Sequence, residues 1–217
     1  MIPEGKRIYV ADEHPVIHAG LVRLIEDQPG WRLVGGARSC AEAWRSVMGM
    51  PVDLLILEPA MGGMDGLTRL GDFAARTRVL CFSMLPEVCL AERVLREGAR
   101  GYLMKWSTPD EIRDAIRAVL AGDIVLSPEA RRRVLERAAG VARGDPADDL
   151  GALSNRELQI VHLIGVNRSS RQIAEHMRLS EKTVATHRLR IREKLALRRP
   201  SDLLRTAARW VEHDALP

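Results

Sequence analysis

The amino-acid sequence predicts a doubly wound α/β domain followed by a small all-α domain. Five short apolar runs alternate with amphipathic helical stretches over the first 126 residues, and no strand pattern follows residue 151. Most of the five runs are apolar at consecutive positions, which is typical of parallel strands covered by helices on both faces. Five successive strand–helix units therefore predict a three-layer domain with a parallel sheet at its centre.

Strand and helix boundaries follow from local signals. The predicted strands are Arg7–Ala11, Trp31–Ala37, Val52–Leu57, Arg78–Ser83 and Gly101–Met104. Prolines suited to a first helical turn, capping boxes and C-terminal glycines mark the helix ends. They predict helices over Pro15–Asp27, Cys40–Met48 and Pro86–Glu97, and a fourth from Thr108 to about Ala121.

The second half of the chain is predicted to be helical. A basic helix over Pro128–Ala139 precedes Gly140–Gly151, whose glycines, proline and acids are typical of a linker. Capping residues then predict four more helices, the last three over Ser170–Met177, Glu181–Leu195 and Ser201–His213. The predicted domains are 1–126, a linker helix and loop over 127–151, and a four-helix domain over 152–217.

Composition excludes several classes of protein. Apolar residues make up 46% and charged residues 29% of the 217 residues, so the chain is not disordered throughout. No apolar run approaches the ~18–20 residues that span a bilayer, and the first residues lack the apolar segment of a signal peptide. We therefore expect a cytoplasmic protein with no membrane partner. Its three cysteines are too few for a disulfide framework and are expected to be reduced.

Positive charge is concentrated in one region. Residues 154–199 contain 11 Lys and Arg against 4 acids, a net charge of +7, whereas residues 1–153 contain 20 against 22, a net charge of −2. A basic block behind a slightly acidic body is typical of a nucleic-acid-binding module. A solvated, charged helix face is the alternative interpretation of the same count.

Polar side chains stand at the ends of four predicted strands. Asp12 and Glu13 follow the first strand, Glu58 follows the third, and Ser83 and Lys105 end or follow the fourth and fifth. Ligands of a parallel α/β sheet bind beyond the carboxyl ends of its strands, so these side chains are expected to form one pocket. Asp12 and Glu13 are candidate Mg²⁺ ligands, and Lys105 suits a phosphoryl or carboxylate oxygen.

The motif order resembles that of a known family. The first domain resembles a response-regulator receiver domain in Asp12-Glu13-His14-Pro15, Met61-Gly62-Gly63-Met64-Asp65-Gly66, Ser83 and Gly98-Ala99-Arg100-Gly101-Tyr102-Leu103-Met104-Lys105. The second domain resembles a LuxR-type helix-turn-helix in Leu153-Ser154-Asn155-Arg156-Glu157, Ile173-Ala174 and Ser180-Glu181-Lys182-Thr183-Val184-Ala185-Thr186-His187. Together they are similar to the NarL/FixJ type of response regulator over nearly the whole chain.

This resemblance implies both a fold and a function. The implied strand order is the flavodoxin-like 2-1-3-4-5, and the implied function is that of a transcriptional regulator that binds double-stranded DNA. A homodimer on two promoter half-sites is implied, and a sensor kinase or an auxiliary regulator is a further candidate partner. Ser83 and Tyr102 stand where the family has its switch hydroxyl and switch aromatic.

Glu58 departs from the family pattern. It occupies the position of the phosphoacceptor aspartate, and its extra methylene places the carboxylate ~1.5 Å further along the strand end. Because in-line phosphoryl transfer is sensitive to such misplacement, we expect no ordinary phosphorylation at this residue. Two interpretations stay open: Glu58 reaches Ser83 and Lys105 as a phosphoryl group would, or it forms a plain ion pair with Lys105 in an inactive pocket.

The helix Glu181–Leu195 is the candidate recognition helix. On a helical wheel, Val184, Ile191 and Leu195 face the core, and Leu189 lies on the opposite, outer side. The resemblance places base contacts at Ala185, Thr186 and Leu189. The full set of candidate DNA-contacting residues is Lys182, Thr183, Ala185, Thr186, His187, Arg188, Leu189, Arg190, Arg192 and Lys194.

Two other function classes compete with this interpretation. An Mg²⁺-dependent phosphatase also uses acids on this fold, but the chain has Asp12-Glu13-His14 where such hydrolases need Asp-x-Asp, so we expect no enzyme activity. The other alternative is a non-DNA adaptor whose basic domain binds another regulator. A steep loss of duplex binding with salt would favour DNA as the partner.

Overall fold

Residues of the first half of the chain form a five-stranded parallel sheet in the order β2-β1-β3-β4-β5. Its strands are β1 (Lys6–Ala11), β2 (Trp31–Ala37), β3 (Leu54–Leu57), β4 (Arg78–Ser83) and β5 (Gly101–Met104). The computed structural model describes residues 5–140, 150 and 152–213. The predicted doubly wound α/β fold and its strand order are confirmed.

Helices cover both faces of this sheet. Helices α1 (Pro15–Glu26) and α6 (Pro109–Ala121) pack on one face, on a core that includes Ile8, Ile56 and Phe82. The other face is covered by helices α2 (Cys40–Gly49), α3 (Met61–Thr68), α4 (Leu70–Ala74) and α5 (Glu87–Arg96). Because both faces are buried, β1, β3 and β4 are apolar at consecutive positions.

The sequence did not predict helices α3 and α4. Three glycines lie within α3, and glycine is among the poorest helix formers, so propensity alone favours a loop there. At Gly66 a Cβ atom would lie 2.8 Å from the backbone of Pro59, which shows how closely α3 approaches the end of β3. Tertiary packing outweighs local propensity in this segment.

Helix α7 (Pro128–Ala138) packs on α5 within the first of two compact units. Contacts within the chain divide it into residues 1–139 and 140–217. Of the predicted linker Gly140–Gly151, only Gly140 and Leu150 are among the described residues. No helix in the described part of the chain is both long and apolar enough to cross a bilayer.

The described part of the second unit contains four helices. They are α8 (Asn155–Gly165), α9 (Ser170–Met177), α10 (Glu181–Lys194) and α11 (Pro200–His213). Ser154, Ser169 and Ser180 cap α8, α9 and α10; for α9 the sequence pattern had allowed either Ser169 or Ser170. A Cβ atom at Gly165 would lie 2.4 Å from the carbonyl oxygen of Ala207, so glycine at this position lets α8 and α11 pack closely.

Candidate functional site

Four polar side chains meet at the carboxyl edge of the sheet. The backbone N–H groups of Asp12 and Glu58 donate to the carbonyls of Ala37 and Ala11, so both residues are held by the sheet just beyond the ends of β1 and β3. Ser83 and Lys105 lie at the ends of β4 and β5, and all four residues are buried. Parallel strands ending at one edge bring together side chains that are up to 93 positions apart in the sequence.

The Lys105 ammonium lies between two carboxylates. Its Nζ is 2.6 Å from Asp12 Oδ2 and 2.8 Å from Glu58 Oε2, and the three side chains are at most 3% exposed. A buried charge is tolerated only when it is paired and hydrogen-bonded. Each member of this triad therefore depends on the others.

Glu58 makes more contacts than a simple ion pair. Its Oε1 atom accepts hydrogen bonds from Ser83 Oγ at 2.7 Å and from the Ala60 N–H at 2.8 Å. Burial raises the pKa of Glu58, while Lys105 and these two donors oppose the rise. The carboxylate therefore bridges Ser83 and Lys105, which is the geometry of the first of the two interpretations given above.

Ser83 connects the pocket to the segment that follows β4. Its Oγ accepts a hydrogen bond from the Leu85 N–H at 3.1 Å, and the carbonyl of Leu85 accepts a bond from Tyr102 Oη at 2.7 Å. Tyr102 is buried, and burial raises the pKa of its phenol well above the usual value. Both backbone groups of Leu85 are thus held by side chains of the pocket region.

His14 belongs to the pocket, although sequence reasoning gave it no role. Its backbone N–H donates to Asp12 Oδ1 at 2.8 Å, and its Nδ1 lies 3.0 Å from that oxygen and 3.2 Å from Lys105 Nζ. Its position two residues after the strand-end aspartate was the available signal. The histidines of the sequence do not have the spacing of metal ligands, so that criterion does not identify His14 as a pocket residue.

The donor set of this pocket does not fit Mg²⁺. Asp12 and Glu58 direct an oxygen each to the Lys105 ammonium, and their other oxygens accept bonds from protein donors. Glu13, the second expected ligand, is exposed, and no group of three potential ligands suited to a metal ion occurs among the described residues. Since Mg²⁺ requires near-octahedral oxygens at ~2.0–2.1 Å, it would have to displace Lys105.

The second candidate site is the outer face of α10. Val184 and Ile191 are fully buried and Leu195 follows them into the core, as the helical wheel predicts. Leu189 is 47% exposed on the opposite side, so its side chain is available for a contact outside the unit. Exposed residues of the same face are Lys182, Ala185, Thr186, Arg190 and Glu193, and Arg192 is half-buried.

Several predicted DNA-contacting side chains have partners within the protein. The Thr183 hydroxyl lies 2.8 Å from the capping Ser180 hydroxyl, and the Thr186 hydroxyl donates to the carbonyl of Lys182 at 3.0 Å. Arg188 donates to Ser170 Oγ of α9 at 2.9 Å. The first two contacts lie within α10 and its cap, and the third joins α10 to α9; the methyl group of Thr186 remains as its apolar contact group.

Lys194 forms an ion pair with a buried carboxylate. Its Nζ lies 2.7 Å from Glu157 Oε2, and the same oxygen accepts the Ser154 N–H at 2.7 Å, so the capping box of α8 is tied to the end of α10. Burial would raise the pKa of Glu157, but the bonds from Lys194 and Ser154 outweigh it and hold the pKa below the usual value. Lys194 thus has a structural role in the second unit.

His187 is half-buried in the middle of α10. Burial lowers the pKa of its ring, and the nearby charges of Arg156 and Arg190 lower it further against the opposing effect of Glu157. The ring is therefore neutral at neutral pH. A contact with a DNA phosphate would use a neutral N–H donor.

The lysine-filled pocket predicts a defined response to Mg²⁺. We expect the melting temperature of the wild-type protein to be the same in MgCl₂ and in NaCl of equal ionic strength. Lys105→Ala leaves two buried carboxylates without a cation, which costs about 3–5 kcal/mol, and Mg²⁺ is expected to raise the melting temperature of this variant. A Mg²⁺-specific rise in the wild type would contradict the assignment.

The ion pair of Glu157 predicts a pH-dependent stability. Its lowered pKa means that the ionised form stabilises the fold above the unfolded pKa of about 4.3, and that this contribution is lost as the pH falls through the folded value. We expect Glu157→Gln and Lys194→Ala each to lose about 1–2 kcal/mol of unfolding free energy at neutral pH and much less below about pH 4.

Urea denaturation at a series of pH values measures this difference. Glu175→Gln is the matched control, because Glu175 forms an exposed pair with Arg171 one turn away on the same helix. Glu175→Gln should lose little free energy of unfolding at any pH. An equal loss for Glu157→Gln at both ends of the pH range would show that the ion pair does not stabilise the unit.

Comparisons with known proteins agree with this architecture. Residues 8–117 match the response regulator receiver domain family, and residues 151–207 match the family of bacterial regulatory proteins of the luxR type. Response regulator UvrY of Escherichia coli K12 is 29% identical over 206 residues, which cover 93% of each chain.

Solved structures are similar as well. A LuxR-family two-component response regulator from Aurantimonas sp. SI85-9A1 is 30% identical with a TM-score of 0.57, over 62% of this chain and 99% of that one. RcsB of Salmonella enterica serovar Typhimurium, bound to promoter rprA, is 18% identical with a TM-score of 0.62 over 94% of this chain and 98% of its own, which shows a shared fold. The chain belongs to the response regulators that join a receiver domain to a LuxR-type regulatory domain.

Proposed function

We propose that this protein is a DNA-binding transcriptional regulator whose receiver domain acts without aspartyl phosphorylation. The independence from phosphorylation rests on one observation, the bridge that Glu58 makes between Ser83 and Lys105. The family membership and the exposed face of α10 support the DNA-binding role. The proposed domains are 1–126, 127–151 and 152–217, and the proposed place of action is the cytoplasm.

Glu58 supplies the contacts that a phosphoryl oxygen would otherwise make. One carboxylate oxygen accepts hydrogen bonds from the Ser83 hydroxyl and the Ala60 N–H, and the other forms an ion pair with the ammonium of Lys105. The donors are therefore already satisfied by a side chain that is always present. We infer that the switch segment after β4 is held in one state at all times, with no need for a kinase, and that Glu58 is a poor phosphoacceptor.

The second unit has the charge and shape of a major-groove reader. Its basic block has a net charge of +7, which suits the phosphate backbone. On α10, Ala185, Thr186 and Leu189 offer apolar groups that match thymine methyls, with Lys182 and Arg190 beside them for base edges or phosphates. Direct reading of bases by this exposed stripe is the proposed basis of specificity.

We propose that the DNA-bound form is a homodimer and that the protein is not an enzyme. One helix of this size reads one half-site, and such modules gain specificity by pairing. On α11, Leu204 is 48% exposed while Leu203 and Ala207 are buried, so α11 presents an apolar group outside its own core. In the pocket, the carboxylates are engaged by Lys105 and by protein donors, which supports a binding role over a catalytic one.

The exposed stripe of α10 is tested by two variants with different expected effects. Leu189→Ala should change the preference between specific and scrambled duplexes by about 1–3 kcal/mol per affected base pair, because it removes an apolar contact with a base. Arg192→Ala should weaken binding to all duplexes alike and lower the salt slope by about one unit. Titration of both duplexes at two salt concentrations measures both effects.

Equal weakening of both duplexes by Leu189→Ala would show that Leu189 packs the domain and does not read bases. Absence of duplex binding by the wild type, even at the lower salt concentration, would contradict a DNA-binding role altogether. Leu204→Ala serves as the control for loss of an exposed leucine elsewhere in the unit; it should weaken dimer formation and leave the preference for individual bases within one half-site unchanged.

Phosphorylation is tested by mass. After incubation with a small-molecule phosphodonor and Mg²⁺, the wild-type chain should carry no acid-labile phosphoryl group at Glu58, because its carboxylate is displaced from the acceptor position and bonded to Ser83 and Lys105. Glu58→Asp, which shortens the side chain, is the matched comparison. An adduct mapped to Glu58 in the wild type would contradict the proposal.

A further inference from the structure

We propose that Glu87 is a positioning residue through which the pocket controls the docking of helix α7 on α5. This inference rests on the proposed function, because it describes how the state set by Glu58 leaves the receiver domain. Glu87 lies outside the pocket, and no motif in the sequence indicates its role. Three structural observations carry the inference.

First, both backbone groups of Leu85, in the segment between β4 and α5, are hydrogen-bonded to side chains. Ser83 Oγ accepts the N–H of Leu85, and Tyr102 Oη donates to its carbonyl. Ser83 is itself fixed by its bond to Glu58. Only Pro86 separates Leu85 from Glu87, so these bonds hold the segment that leads directly into the first turn of α5.

Second, Glu87 holds the start of α7. It is only 6% exposed, and its Oε1 accepts the backbone N–H of Ser127 at 2.8 Å. Ser127 is the N-cap of α7, and its side chain accepts the N–H of Ala130. A buried carboxylate on the first turn of one helix thus fixes the capping residue of another helix that lies 40 positions further along the chain.

Third, the rest of the interface between α5 and α7 depends on this anchor. Ala130 is fully buried and Leu126 is 8% exposed, both beside the Ser127 cap. At the far end, Arg137 forms an ion pair with Glu92 of α5 at 2.8 Å, but both side chains are about 30% exposed. The buried residue of α7 is Ala130, so the N-terminal end of the helix supplies the buried part of its contact with α5.

These contacts form one continuous series from the pocket to α7. If Glu58 no longer holds Ser83, the turn at Leu85 is released, Glu87 loses its position, and the Ser127 N–H loses its acceptor. In the wild type the bond between Glu58 and Ser83 is always present and α7 stays docked on α5; the undocked state is reached only when that bond is removed. Because α7 is the last helix before the second unit in the sequence, its docking is the output of the pocket in the proposed mechanism.

Hydrogen exchange of the full-length protein tests this coupling without DNA. We expect Glu87→Ala to speed exchange of the amides of Ser127 and of residues 129–131 by about fivefold, the effect of losing a hydrogen bond of about 1 kcal/mol. Glu87→Gln keeps an acceptor oxygen and should retain most of the protection. Glu58→Ala should speed the same amides, although Glu58 does not touch α7.

The double variant Glu58→Ala with Glu87→Ala decides whether the two residues act through one series of contacts. Exchange no faster than in Glu87→Ala alone supports the proposal, because the anchor is then already lost. If the rate increases of the two single variants multiply in the double variant, the proposal is overturned. Asp53→Ala is the matched control, since Asp53 is bonded by Arg7 at the opposite end of β3 and its loss destabilises the unit without touching the pocket.

Two further outcomes overturn the proposal. One is unchanged exchange of α7 in Glu58→Ala, and the other is equal acceleration in Asp53→Ala and Glu58→Ala, which would reflect general destabilisation. The readout is separate from DNA binding. A protein that binds no operator but shows the coupling would refute the proposed function and leave this inference intact, and the reverse result would refute only the inference.

Discussion

The ammonium of Lys105 between Asp12 and Glu58 is the contact on which the rest of the first unit depends. The ends of three strands must be in register to bring these side chains within 2.6–2.8 Å, and none of the three charges could stay buried alone. The ammonium also directs Glu58 so that its second oxygen meets Ser83. The ion triad thus requires this sheet topology, and it sets the charge of the pocket and the contact with the switch segment.

Much of the fold could be predicted from the sequence because its signals are local. Consecutive apolar residues marked the buried strands, and capping serines marked the helices of the second unit. Helices α3 and α4 were missed because the glycines of α3 favour a loop, and only packing against the end of β3, visible at Gly66, makes the segment helical. Such long-range packing leaves no local pattern.

The sequence was enough to predict which residues line the pocket, but only some of the contacts among them. Strand ends identified Asp12, Glu58, Ser83 and Lys105, but the contact of Glu58 with Ser83 depends on side-chain reach that the sequence leaves open. Helix periodicity placed Leu189 on the outer face of α10. Lys194 looked like a phosphate contact because its partner, Glu157, is 37 positions away and is brought near only by packing of α8 on α10.

The central claim is that Glu58 holds the receiver in its DNA-binding state without phosphate. Its most direct test is the affinity of unmodified full-length protein for its operator, measured beside Glu58→Ala, Ser83→Ala and the control Asp53→Ala. We expect tight binding by the wild type and by the control, and a loss of about 5- to 150-fold in the two pocket variants, the usual range for coupled sites. Equal affinity in all four proteins would contradict the account.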